Sequence, residues 1–89
     1  MKEIKRTNRF NKEIELMLRR GKDLNKLKEV VRLLAIGGKL PPKYKDHPLK
    51  GDKKGLRGLH IEPDWLLLYR IEDDFVILEA TGTHSDLFD

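Results

Sequence analysis

Between Leu56 and Ala80 the chain has little freedom of fold. From Leu56 to Glu62, Leu59 and Ile61 alternate with Gly58, His60 and Glu62, the signature of a strand with two unlike faces. Pro63 and Asp64 are turn residues. Trp65 to Ile71 is apolar almost throughout, as expected of a central strand covered on at least one face. Glu72-Asp73-Asp74 is a hairpin turn, and Phe75 to Ala80 is the next strand. Three strands in succession, joined by such short connections, make an antiparallel meander. The alternation also places His60 on the face opposite Leu59 and Ile61.

Everything before Leu56 has to cover that sheet. Met1 to Arg6 offers a short strand with Ile4 as its one strong apolar residue. Thr7 or Asn8 can cap a helix whose apolar stripe is Phe10, Ile14, Met17 and Leu18. Arg19 and Arg20 suit the negative end of its dipole, and Gly21 its C-terminal stop. Asp23 can cap a second helix carrying Leu24, Leu27, Val30, Val31 and Leu34, ended by Gly37-Gly38. So short a linker predicts an antiparallel helical hairpin. Leu40-Pro41-Pro42 forbids further helix, and Pro42 to Lys54 reads as a loop. The expected fold is α+β in the order β-α-α-β-β-β. A two-helix hairpin packs on one face of a small, twisted, mostly antiparallel sheet, and the other face is left for function. With 89 residues, residues 1–89 form a single domain with one small core.

Composition narrows the function classes. Hydrophobic and charged residues each make up 38%, which suits a globular protein with a heavily charged surface. The absence of cysteine excludes a disulfide framework and thiolate metal sites. No apolar run approaches the ~18 residues of a membrane span. MKEIKRTNRF lacks the apolar stretch of a signal peptide, so cytoplasm is the expected compartment. Charge is uneven: residues 1–45 carry 14 Lys+Arg against 5 Asp+Glu, a balance of +9, and residues 46–89 carry 5 against 10, a balance of −5. Such a basic half fits nucleic acid or an acidic protein partner, and equally the solvated faces of two helices. Lys43, Lys45, Lys50, Lys53 and Lys54 crowd one loop, as phosphate-contacting point charges or as a merely soluble loop.

The three histidines, His47, His60 and His84, each sit beside turn or loop chemistry. The meander can bring them together beside one sheet. Metal-free RNA cleavage needs a base for the 2′-OH proton, an acid for the departing 5′-oxygen and cations for the phosphate. Histidine serves either proton role near neutrality, each contributing roughly 10²–10⁴-fold. Three other readings stand beside it: unrelated surface histidines, a metal site completed by Asp64 or Asp46, and a non-catalytic RNA- or antitoxin-type binding surface. No H-x-H, H-E-x-x-H or C-x-x-C spacing supports a metal. Neither G-x-x-x-x-G-K-[ST] nor G-x-G-x-x-G occurs.

Three segments, YKDHPLKG, LRGLHIEPDWLLLY and TGTHSDLF, together with KDLNKLKEVVRLL and LPPKYKDHPL, closely resemble the YafQ-type branch of the RelE/ParE toxin superfamily over nearly the whole chain. The resemblance implies a microbial-RNase-like fold and a type II toxin. It implies an endoribonuclease acting without metal or cofactor, usually on mRNA in the ribosomal A site. The products would be a 2′,3′-cyclic phosphate or 3′-phosphate and a 5′-hydroxyl. A DinJ-like or RelB-like antitoxin would block the site, the toxin alone being a monomer and the pair a larger assembly.

The matching site residues are His47, His60, Asp64, His84 and Phe88. The histidines take the acid/base and phosphate-stabilising roles, Asp64 orients a histidine or shares in proton transfer, and Phe88 stacks on a base. Lys50, Lys54 and Arg57 are the expected phosphate contacts. Asp64 as a plain turn residue, Phe88 as a core plug and Arg57 as a surface ion-pair partner are the structural alternatives. Two positions depart from the family pattern: Gly58 stands where an aspartate is expected and Ala80 where an arginine is, with Glu62 and Arg70 as candidate substitutes. The alternative to cleavage is a ParE-like interaction toxin that binds its target without cutting. ParE-like relatives are not expected to carry the histidine set.

Overall fold

The computed structural model describes residues 1–89. The chain runs β1 (Glu3–Arg6), α1 (Asn8–Arg19), α2 (Leu24–Ile36), β2 (His47–Pro48), β3 (Arg57–Glu62), β4 (Trp65–Glu72), β5 (Phe75–Gly82) and α3 (His84–Phe88), with 3₁₀ turns at Pro42–Tyr44 and Gly51–Lys53. All six expected elements are present in the expected order. The sheet order is β1-β5-β4-β3-β2. Only β1 runs parallel to its neighbour, β5; the other pairs are antiparallel.

Local chemistry sets the helix boundaries. The Thr7 hydroxyl accepts from the Phe10 N–H, and the Asp23 carboxylate accepts from the Asn25 N–H. Gly37 closes α2 at φ +85°, a conformation that costs glycine nothing. The helices lean on the sheet more than on each other. α1 lies on β5, and α2 reaches β1 and β3. The expected close hairpin is thus opened by a largely apolar groove of about 750 Å³ between the helices, flanked by Leu18 and Leu24.

Two elements differ from the sequence expectation. The Pro42–Lys54 loop contains β2, whose His47 and Pro48 pair with Gly58 and Arg57. Proline is tolerated there because an edge strand has an outer side that needs no N–H. The tail expected as a turn is the helix α3. Thr83 accepts from the Asp86 N–H while the Asp86 carboxylate accepts from the Thr83 N–H, a reciprocal capping box.

The sheet has two unequal apolar faces. Phe10, Met17, Leu27, Val30, Trp65, Leu67, Tyr69 and Val76 belong to the larger cluster, on the helix side. On the other side Leu66, Leu68, Ala80 and Leu87 form a smaller cluster, with Leu49 packed against it. That face is therefore not bare, as expected, but roofed in part by α3 and the Leu49 loop. Both bulges lie near this arrangement, between His60 and Glu62 on β3 and between Leu78 and Ala80 on β5.

A buried polar chain ties β4 to β5. The Trp65 indole N–H donates to the Thr81 hydroxyl at 2.9 Å, and that hydroxyl donates to the Leu66 carbonyl at 2.7 Å. Replacing Thr81 by valine keeps the shape and leaves the indole N–H without an acceptor. Thr81→Val should lower unfolding free energy by about 1–3 kcal/mol, read from urea denaturation.

Candidate active site

His60 faces away from α1 and α2. The bulge at Ile61 follows it directly, and bulges commonly re-aim side chains beside active sites. The Pro63 carbonyl at the next turn lies 3.3 Å from His60 Nδ1. The same turn carries Asp64, and Asp64 reaches α3. Its Oδ1 accepts the backbone N–H of His84 at 2.9 Å and the ring Nδ1–H of His84 at 2.6 Å. One carboxylate oxygen therefore meets the start of α3 and orients its first side chain. These two bonds, the backbone one foremost, hold the Asp64 carboxyl below its usual range.

The two rings meet edge to face, with centroids 5.3 Å apart and planes at 61°. Phe88 lies one helical turn beyond His84, its ring centroid 6.5 Å from that of His84. Phe88 is 46% exposed, and its neighbour Leu87 fills the smaller core. The expected alternative of Phe88 as a core plug thus belongs to Leu87 instead. Beyond Phe88, the Lys53 ammonium lies 5.5 Å from the ring centroid.

His47 stands apart from this line. It is opposite Gly58 on β3, which makes it a same-face diagonal neighbour of His60; such neighbours lie roughly 7–8 Å apart. Its Nδ1 is 2.7 Å from the Lys45 carbonyl. Each of the three histidines therefore has Nδ1 beside an oxygen that can only accept. Hydrogen bonding thus assigns the proton of the neutral ring to Nδ1 and leaves Nε2 free for a ligand.

The other expected residues fall in different places. Lys50 and Lys54 are exposed on the loop, whereas Lys53 between them is half-buried and alone reaches Phe88. Arg57, expected as a phosphate contact, lies off the histidine face. It pairs across to Tyr69, on the helix side of the sheet, and its guanidinium is bound to Asp46 at 3.0 Å. Asp46 also accepts from the Tyr69 hydroxyl at 2.5 Å. Burial and that carboxylate push the Tyr69 hydroxyl above its usual range. Arg57 shares parity with Leu59 and Ile61, so the strand alternation already excluded it from the histidine face. Glu62 and Arg70, the candidate substitutes, are both ion-paired. Glu62 receives Lys22 at 3.1 Å and Lys26 at 2.7 Å, and Arg70 is bound by Glu72 and Glu79. Gly58, Leu68 and Ala80 form one row across the sheet. A Cβ on Gly58 would come within 3.3 Å of Leu49, so the row is closed by packing rather than charge. No three His, Asp or Glu side chains converge as metal ligands.

α3 owes its position to Asp86. Arg20 on the α1 side donates to that carboxylate at 2.7 Å. With the Thr83 N–H, Arg20 lowers the Asp86 carboxyl to about 2. Gly82 leaves room for the same side chain: a Cβ there would sit 2.9 Å from Asp86 Cβ, too close for either backbone to stay in place.

Residues 2–89 match the model of a family described as the bacterial toxin of a type II toxin-antitoxin system, YafQ. The chain is 44% identical over 88 residues to the mRNA interferase toxin YafQ of Escherichia coli strain K12, covering 98% of this chain and 96% of that one. It superimposes on YafQ in the crystal structure of the E. coli DinJ-YafQ complex with a TM-score of 0.92 at 43% identity, each chain covered completely. The metal-bound toxin from Helicobacter pylori is similar too, with a TM-score of 0.92 and 42% identity over 99% of this chain and 100% of that one.

Two outcomes follow from the Asp86 anchor. Because its folded carboxyl is depressed, it stabilises the fold above the unfolded value of about 3.9. That contribution is lost as pH falls through about 2. Asp86→Asn should therefore melt lower than wild type at pH 7, and the two melting curves should converge near pH 2. Gly82→Ala should displace α3, separating His84 from Asp64; loss of the His84 ring contacts, read by NMR, should accompany a retained far-UV CD spectrum.

Proposed function

Because the chain belongs to the YafQ family of type II toxins, we propose that it is an mRNA interferase that cuts RNA by histidine acid/base chemistry. The observation that carries this reading is the contact of His60 with His84, the latter held by Asp64. Cleavage would proceed within the RNA itself. An Nε2 lone pair takes the proton of a 2′-hydroxyl, O2′ attacks the adjacent phosphorus, and the P–O5′ bond breaks. A protonated histidine gives its proton to O5′. The products are a 2′,3′-cyclic phosphate, or the 3′-phosphate after hydrolysis, and a 5′-hydroxyl.

The geometry supports one division of labour. His60 and His84 carry the proton transfers, and His47 offers a third imidazole on the same face. Asp64 fixes the His84 tautomer, and its negative charge offsets that of the ring when it is protonated. Phe88, half exposed beside His84, is placed to stack on an unpaired base, an interaction worth roughly 1–3 kcal/mol. Lys50 and Lys54 supply longer-range attraction to the RNA backbone. The mRNA would be met on the ribosome.

A DinJ-like antitoxin is the proposed partner, since the E. coli relative is known in complex with DinJ. No helix is long and apolar enough to cross a membrane, and mRNA as substrate places the protein in the cytoplasm.

His60→Ala and His84→Ala should each slow cleavage of translated mRNA by about 10²–10⁴-fold while retaining the wild-type CD spectrum. Primer extension on the mRNA reads the cuts, and wild-type cutting by both variants would reject the mechanism. Cleavage should also persist in EDTA; a loss restored by a divalent metal would point to metal-assisted chemistry instead.

A further inference from the structure

We propose that Lys53 is the cation that contacts the phosphate undergoing cleavage, a role that rests on the RNA-cleavage reading above. Four observations converge on it. Lys53 extends the line of site rings, its ammonium 5.5 Å from the Phe88 centroid, with Phe88 6.5 Å from His84 and His84 5.3 Å from His60. It is half-buried, whereas Lys50 and Lys54 are exposed. The loop that carries it is fixed at its base. The Leu49 N–H donates to the Leu56 carbonyl at 2.9 Å, and the Leu56 N–H donates to the Lys53 carbonyl at 3.1 Å. Leu49 itself packs on the smaller apolar cluster that also receives α3.

Lys50 and Lys54 are unpaired too but stand out in solvent, and several other cations near the site are already neutralised. Arg20 is held by Asp86, Lys22 and Lys26 by Glu62, and Arg57 by Asp46. Lys53 has no carboxylate partner among the ion pairs of the protein; its neighbour is an aromatic face. The strand row beneath the site, Gly58-Leu68-Ala80, carries no charge at all. As O2′ attacks, negative charge grows on the non-bridging phosphate oxygens, and a fixed positive group nearby lowers the barrier. A lysine suits this task as a compact point charge on a flexible stem. Its contact with an exposed ring is weak enough to yield to a phosphate.

The test compares Lys53→Ala, Lys53→Arg and Lys12→Ala. Lys12 is exposed on α1, and its loss changes net charge by the same amount. Two quantities are read: single-turnover cleavage of translated mRNA, and binding of a 2′-O-methyl RNA oligonucleotide, which cannot be cut, across a salt series. Lys53→Ala should cleave about 10²-fold more slowly, and its plot of log binding constant against log salt should flatten by about 0.7, one phosphate contact on a single strand. Arginine should restore most of both, and Lys12→Ala should match wild type. Wild-type cleavage by Lys53→Ala overturns the proposal. So does slow cleavage with an unchanged salt slope, which would leave Lys53 as packing against Phe88. His84→Ala is run alongside: if it cuts normally, the histidine mechanism fails. If it is inactive while Lys53→Ala is not, only the Lys53 role fails.

Discussion

One carboxylate joins the two halves of the site. Asp64 lies in the turn between β3 and β4, and His84 lies twenty residues later at the start of α3. The backbone N–H and the ring Nδ1–H of His84 both point at the same oxygen. Without that oxygen the first turn of α3 would lose an acceptor, and the imidazole would lose its fixed tautomer. That oxygen thus ties the start of α3 to the orientation of the His84 ring, while Asp86 anchors the helix from the α1 side. This link helps to hold α3 over the strand end, where the His60 and His84 rings meet.

The charge asymmetry seen in the sequence resolves into something more specific than a basic surface. Much of the excess cation near the site is spent internally: Arg20, Lys22, Lys26 and Arg57 each have a carboxylate partner from the acidic second half. These pairs are partly exposed, where ion pairs contribute little to stability. Their consequence is positional. The first three dock α3 and the end of β3 against the α1–α2 connection.

The meander, both helices and their caps were legible because each rests on short-range chemistry: alternation in Leu59–Ile61, Thr7 and Asp23 as caps, Gly37 as a stop. The histidine face was legible from parity alone. The same parity sets Arg57 beside Leu59 and Ile61, on the helix side. Other features needed the third dimension. α3 is five residues long, too short for a periodic pattern, although Thr83 and Asp86 hold the capping spacing. β2 is two residues long and includes a proline, so no strand signal could mark it. Lys53 could not be told from Lys50 and Lys54 because the difference lies in how a turn aims three neighbouring side chains.

The pairing of β1 with β5 has a further consequence for how the protein is made. Glu3–Arg6 finds its partner only in Phe75–Leu78, and synthesis runs from the N-terminus. A nascent chain must therefore carry an orphan first strand until residues 75–78 have been made. Such distant pairing also slows folding.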